Sequence, residues 1–325
     1  MIHPLGVVDG TFAGTDPHAV YKLQLSELHP PHIPALAELP AVGPHATGIG
    51  KVIANIGLPF ELRSYGWQLQ RGERITSVDQ RRAQSHRNSI IQALVDVAED
   101  QPVSQVSVRL LGPVTTMVNG MLPSGQRILR DPGARRDVAA AWAEALQALT
   151  ERIHAVIGAH TTVFVQEDRA QQAIDGKIRS VSGVDLERAL DRTEVRSMWE
   201  RAVIPDATVL FETSTELSAT AAEVGSVALD WPTGSSDATE TTWELIDGLI
   251  SAETPVALHI SPRGEPKRYA ETLIQQYLDW GLSPSGLEHV RLVRRLAAEP
   301  ERTVGAELES LRTVTEHAGQ YLTTL

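Results

Sequence analysis

Thr162-Val163-Phe164-Val165-Gln166, followed at once by Glu167-Asp168, decides how this chain is read. Three apolar residues follow one another, where a half-exposed strand would alternate apolar with polar. Such a run fits a strand covered on both faces, as in a parallel sheet. Thr208-Val209-Leu210-Phe211-Glu212 shows the same pattern and also ends on a carboxylate. Working outward, further strands are predicted at Leu5–Asp9, Pro59–Arg63, Val106–Leu111, Ser226–Asp230 and Val256–Ile260, with a last one near Gly281–Pro284.

Helical patterns separate these strands. Apolar residues recur at three- and four-residue steps over Thr76–Ala98, Ala134–Val156, Thr241–Ile250, Lys267–Trp280 and Leu287–Ala298. Asp16-Pro17 and Asp131-Pro132 each place a side-chain cap before a first-turn proline, where the missing N–H costs nothing. Ser77 with Gln80 has capping-box spacing. Eight strands alternating with helices point to a single-domain (β/α)8 TIM barrel over 1–325, with a doubly wound open sheet as the alternative. The stretch at about 29–47, rich in Pro, Ala and His, reads as a long loop before the second strand.

Composition excludes several chemistries. The 325 residues include no Cys, so there is no disulfide, no thiolate nucleophile and no Cys-ligated zinc or iron–sulfur cluster. With 41 Asp+Glu against 29 Lys+Arg, the net charge is −12, which argues against binding a phosphate backbone. No apolar run reaches the ~20 residues of a membrane span. Met1-Ile2-His3-Pro4-Leu5-Gly6 lacks the basic start and apolar stretch of a signal peptide. A cytoplasmic protein with no nucleic-acid or membrane partner is expected.

In a barrel of this kind, chemistry sits where strands end. Those ends carry Asp9-Gly10-Thr11, Glu61, Gly112-Pro113-Val114-Thr115, Glu167-Asp168, Glu212, Asp230-Trp231 and His259-Ile260-Ser261-Pro262-Arg263. A ring of carboxylates around one mouth favours a cationic group such as a substrate amine. Trp231, next to a strand-end Asp, is a candidate for stacking on a flat ligand. Gly43–Lys51 misses phosphate-loop spacing, and His29-Pro30-Pro31-His32 suits an extended loop better than a rigid ligand pair.

These strand ends also carry a resemblance. Gly10-Thr11-Phe12-Ala13-Gly14-Thr15-Asp16 resembles the opening of the C-terminal barrel of cobalamin-independent methionine synthase. It is closer still to that barrel's short stand-alone actinobacterial relatives. Gly112-Pro113-Val114-Thr115 and Gln166-Glu167-Asp168 are similar to the third- and fourth-strand motifs. Pro59-Phe60-Glu61-Leu62 and Ser283-Pro284-Ser285-Gly286-Leu287 fit as well. The resemblance implies a barrel of the methionine synthase and uroporphyrinogen decarboxylase superfamily. It also implies methyl transfer to a thiol held on zinc by His, Cys, a carboxylate and Cys. Those positions fall near Leu210, on Glu212, on Asp230 and on Ser285, so the soft ligands are gone. No cofactor is expected, and zinc least of all.

By the same resemblance, Thr11, Glu61 and Asp168 fall where the family holds the amine and carboxylate of its amino-acid substrate. His259 sits one residue before the family's seventh-strand His position, so its direction is open. His259 and Asp230 are the candidate catalytic residues. Thr11, Glu61, Asp168 and Trp231 are the candidate ligand-binding residues. The leading reading is a diverged barrel that binds a small amine-bearing, amino-acid-like ligand without zinc-thiolate chemistry. The first alternative is an enzyme of another route. It would be a methyltransferase fed by a corrinoid protein, or a decarboxylase of the uroporphyrinogen type using Arg63, Arg109, Arg169 and Arg263. The second is a non-catalytic binding or scaffold protein. A small molecule is the expected partner, with a corrinoid protein or a second copy of the chain as further candidates.

Overall fold

A computed structural model describes residues 4–71, 76–297 and 301–322. The strands are β1 (Leu5–Thr11), β2 (Phe60–Arg63), β3 (Gly66–Leu69), β4 (Gln105–Leu111), β5 (His160–Gln166), β6 (Ala207–Glu212), β7 (Ser226–Asp230), β8 (Val256–His259) and β9 (Val290–Ala297). The helices in the first half are α1 (Pro17–Glu27), α2 (Ile49–Ile53), α3 (Val78–Ala98), α4 (Pro113–Asn119) and α5 (Pro132–Ile157). The second half adds α6 (Ala170–Ile174), α7 (Arg192–Glu200), α8 (Thr215–Ala222), α9 (Asp237–Ser251), α10 (Pro266–Asp279) and α11 (Glu301–Leu322).

Seven strands form one parallel sheet in the order β1-β9-β8-β7-β6-β5-β4. Helices follow most strands and cover the outer face, so the architecture is the (β/α)8 barrel that the alternation predicts. Asp16, Ser77 and Asp131 cap α1, α3 and α5, accepting from the backbone N–H of His18 (2.9 Å), Gln80 (3.0 Å) and Ala134 (2.7 Å).

The eighth barrel position is filled by the stretch that reads as a loop. Ile33 N donates to Gly6 O (2.8 Å) on β1, and Leu36 N donates to Ser107 O (2.7 Å) on β4. Val8 N and Ser107 N return bonds to Ile33 O (3.1 Å) and Pro34 O (2.8 Å). Prolines at 30, 31 and 34 have no N–H to give, so this edge cannot make a regular ladder. Side chains of α1 substitute for the missing partners. Gln24 binds both Ala35 N (2.7 Å) and Ala35 O (3.1 Å), and Tyr21 Oη accepts from Ala37 N (3.0 Å).

Three expectations are corrected. Pro59–Arg63 is not the second barrel strand, because β2 pairs antiparallel with β3 as a separate hairpin. Within the helix expected over Leu287–Ala298, Leu287–His289 end a 3-10 turn (Pro284–His289) and Val290–Ala297 form β9, while residue 298 lies outside the described residues. The strand expected near Gly281–Pro284 is instead the turn that leads into that 3-10 segment. Val290, Leu292, Val293 and Leu296 satisfy helical spacing, which masked the strand. The inward face of β9 also carries Arg291 and Arg295, so it lacks the apolar signature of a barrel interior.

Inside the barrel, Val7, Ile33, Phe164, Leu210, Ala228, Ala257 and Val293 pack together, apart from the larger core between sheet and helices. This apolar layer is the floor on which the polar mouth rests.

Candidate functional site

β1, β6, β8 and β9 place Val7, Leu210, Ala257 and Val293 inside the barrel. Two residues on, the same faces carry Asp9, Glu212, His259 and Arg295. Strand alternation therefore turns these four side chains inward, one layer nearer the C-terminal mouth. This resolves the direction of His259. Val256 and Leu258 pack in the outer core, so His259 points in.

The inward charges pair with one another. Asp9 is 1% exposed and lies between two guanidinium groups. Arg295 Nε is 3.2 Å from Asp9 Oδ2, and Arg109 Nε on β4 is 3.5 Å from Asp9 Oδ1. Arg295 also donates through Nη2 to Glu212, while Arg109 Nη2 stands 3.8 Å from Glu212 Oε2. Two cations thus neutralise two carboxylates, as charges removed from water require. His259 Nε2 is 3.0 Å from Arg295 Nη2. Burial is the main cause holding the His259 imidazole below its usual pKa. Asp9 and Asp230 oppose that shift, and Arg109 adds to it.

A cleft of about 280 Å³ opens beside this cluster, lined among others by Glu212, Asp230, Trp231, Thr239, His259 and Arg295. Asp230 ends β7 and is exposed. Its carboxylate has no ion-pair or hydrogen-bond partner among the described residues. Trp231 is fixed beside it. Its backbone N–H donates to His259 O (3.0 Å), its indole N–H donates to Gln276 Oε1 (3.0 Å), and its ring stands edge-on to Trp243 at 5.5 Å. Trp243 in turn stacks on the partly exposed Trp280 at 6.0 Å.

The cleft therefore gathers Glu212, Asp230, Trp231 and His259 from the predicted residues. Its lining does not include Thr11, Glu61, Asp168 or Ser285. Thr11 is the last residue of β1 and half-buried. Glu61 lies on the hairpin and pairs with Arg63 at 2.7 Å. Asp168 is exposed, and Thr115 Oγ1 lies 3.4 Å from its Oδ1.

Sequence reasoning placed Asp9 among the strand-end carboxylates without naming it a site residue, and missed Arg295. The signal for Asp9 was its place two residues after Val7 on an inward face. For Arg295 it was hidden by the helical reading of β9. The neighbour of Asp168 was also undervalued. Glu167 is fully buried, and its carboxylate accepts from Val114 N (3.0 Å), Thr115 N (2.8 Å), Thr115 Oγ1 (2.8 Å) and Trp199 Nε1 (3.0 Å). Burial nevertheless pushes its pKa up to about 7 against these four donors. A Cβ on Gly112 would lie 2.4 Å from Glu167 Cδ, so the Gly-Pro-Val-Thr stretch is a socket for this carboxylate.

The positions implied for zinc do not form a zinc site. Leu210 is apolar and belongs to the interior layer. Glu212 is engaged by Arg295, with Arg109 close by, so a divalent ion there would face two fixed cations. Ser285 Oγ is hydrogen-bonded to Ser283 Oγ at 2.7 Å. Among the described residues, no three His, Asp or Glu side chains converge as a metal site.

No family model matches the sequence, and no curated protein matches it. Solved structures do. The chain is similar to a B12-independent methionine synthase from Shewanella sp. W3-18-1 in complex with selenomethionine. That match has 12% identity, covers 100% of both chains and has a TM-score of 0.61. It is also similar to a methyltransferase from Methanosarcina mazei, at 11% identity over 99% of this chain and 94% of that one, with a TM-score of 0.56. At these identities the likeness is one of fold: this chain has the barrel fold of methionine synthase and methyltransferase structures.

Proposed function

We propose that this chain is a diverged methionine-synthase-like barrel that binds a small amine-bearing, amino-acid-like ligand at its C-terminal mouth. It does so without zinc-thiolate methyl transfer to homocysteine. The observation that carries the reading is Asp230, a carboxylate with no counter-ion among the described residues, beside the indole of Trp231 in a cleft of about 280 Å³. The deeper charges already balance, which leaves Asp230 to attract a cation. An ammonium group against a carboxylate and an aromatic wall is a favourable pairing. The counter-charge thus moves from Glu61 and Asp168 to Asp230, because neither of those lines the cleft. The engagement of Glu212 by arginine supports the absence of zinc chemistry.

A cytoplasmic setting belongs to the same proposal. Among the described residues no helix is long and apolar enough to cross a membrane, which is compatible with that setting.

Calorimetric titration of the purified protein with amino acids and simple amines tests the reading. At least one amine-bearing compound binds, and Asp230→Asn weakens it by about tenfold or more. Binding that is equal in Asp230→Asn, or none by any compound, overturns the amine site. Tightly held stoichiometric zinc on elemental analysis overturns the metal-free half.

A further inference from the structure

The contact between Arg295 and His259 decides where the imidazole proton sits. Arg295 Nη2 lies 3.0 Å from His259 Nε2. A guanidinium carries only N–H donors. A hydrogen bond between them therefore requires Nε2 to accept with its lone pair, so Nε2 carries no proton. The imidazolium, protonated on both nitrogens, is disfavoured by the same contact. Glu212 Oε1 stands 3.8 Å from Nε2, beyond hydrogen-bond reach, and does not compete for a proton there. The one proton of the neutral ring is left on Nδ1. That atom is buried and has no partner among the described residues. The fold bears the cost of that unpaired N–H at a residue that lines the cleft.

We propose that Arg295 is a positioning residue that holds His259, a residue lining the cleft, as the neutral Nδ1–H tautomer. The charged groups around the ring are Asp9, Arg109, Glu212, Asp230 and Arg295. Through its contact with Nε2, Arg295 sets the tautomer.

Long-range ¹⁵N–¹H spectra of the ¹⁵N-histidine-labelled protein, with His259 assigned through His259→Asn, test this directly. At neutral pH the wild type shows a protonated Nδ1 and a bare Nε2. Arg295→Lys, which keeps a cationic donor, preserves that pattern, and Arg295→Met shifts the proton toward Nε2. A protonated Nε2 in the wild type, or no change in a folded Arg295→Met, overturns the positioning role.

Discussion

Thr115 grips Glu167 twice, through its backbone N–H and through its hydroxyl, each at 2.8 Å. Val114 N–H and Trp199 Nε1–H complete the cage. Replacing Glu167 by Gln puts an NH2 group among donors, so Glu167→Gln is destabilised. The size of that loss depends on pH. The folded pKa, about 7, lies above the ordinary carboxyl value of 4.5, so the native state holds the extra proton between these values. The stability contributed by Glu167 is therefore fully present below about pH 4.5, declines as pH rises to about 7, and is level beyond. Urea unfolding of wild type and Glu167→Gln across this range shows the gap narrowing with rising pH; a gap that widens contradicts the account.

Gly112 leaves room for this cage. Its backbone, at φ −67, suits any residue, so the cost of Gly112→Ala is steric. The new Cβ meets Glu167 Cδ at 2.4 Å, and a loss of about 2 kcal/mol follows. In a double-mutant cycle, Glu167→Ala relieves most of that loss. Additive losses would place the strain elsewhere.

Asp9→Asn leaves Arg109 and Arg295 short of a carboxylate at a site 1% exposed. Breaking a buried pair from one side costs about 3 kcal/mol. It also removes the first of the two groups that raise the His259 pKa, which therefore falls further. Denaturant melts and a histidine NMR titration read the two effects, and an upward His259 shift runs against the expectation.

Arg291, inward-facing on β9, is 9% exposed, and burial pulls its pKa down to about 10. It has no acidic partner among the described residues. Arg291→Met keeps the aliphatic stem and removes the uncompensated cation, so calorimetry shows stability unchanged or raised by about 1 kcal/mol. A clear drop in Tm shows a counter-charge at that end of the barrel.

The parts of the fold that obey local rules were legible in the sequence. The caps at Asp16, Ser77 and Asp131 and the apolar runs of β5 and β6 sit where their chemistry puts them. The illegible parts are those where tertiary partners replace local ones. Residues 33–37 act as a barrel strand because β1, β4 and the Gln24 and Tyr21 side chains bind their backbone groups. In β9, Arg295 sits inside because Asp9 on β1 and Glu212 on β6 pair with it. At the site, Asp230, Trp231 and His259 could be named from strand ends. Their grouping apart from Thr11, Glu61 and Asp168 depends on which faces the strands turn inward and on the hairpin that carries Glu61 away.

The pairing of β1 with β9 also sets the order in which the molecule can be made. β1 leaves the ribosome long before β9, which begins at Val290 and closes the ring on its other side. The nascent chain can stack its intermediate strands, but the ring stays open until β9 has emerged. Because the Asp9–Arg295 contact straddles that seam, the ionic mouth of the barrel cannot be completed before β9 has been made.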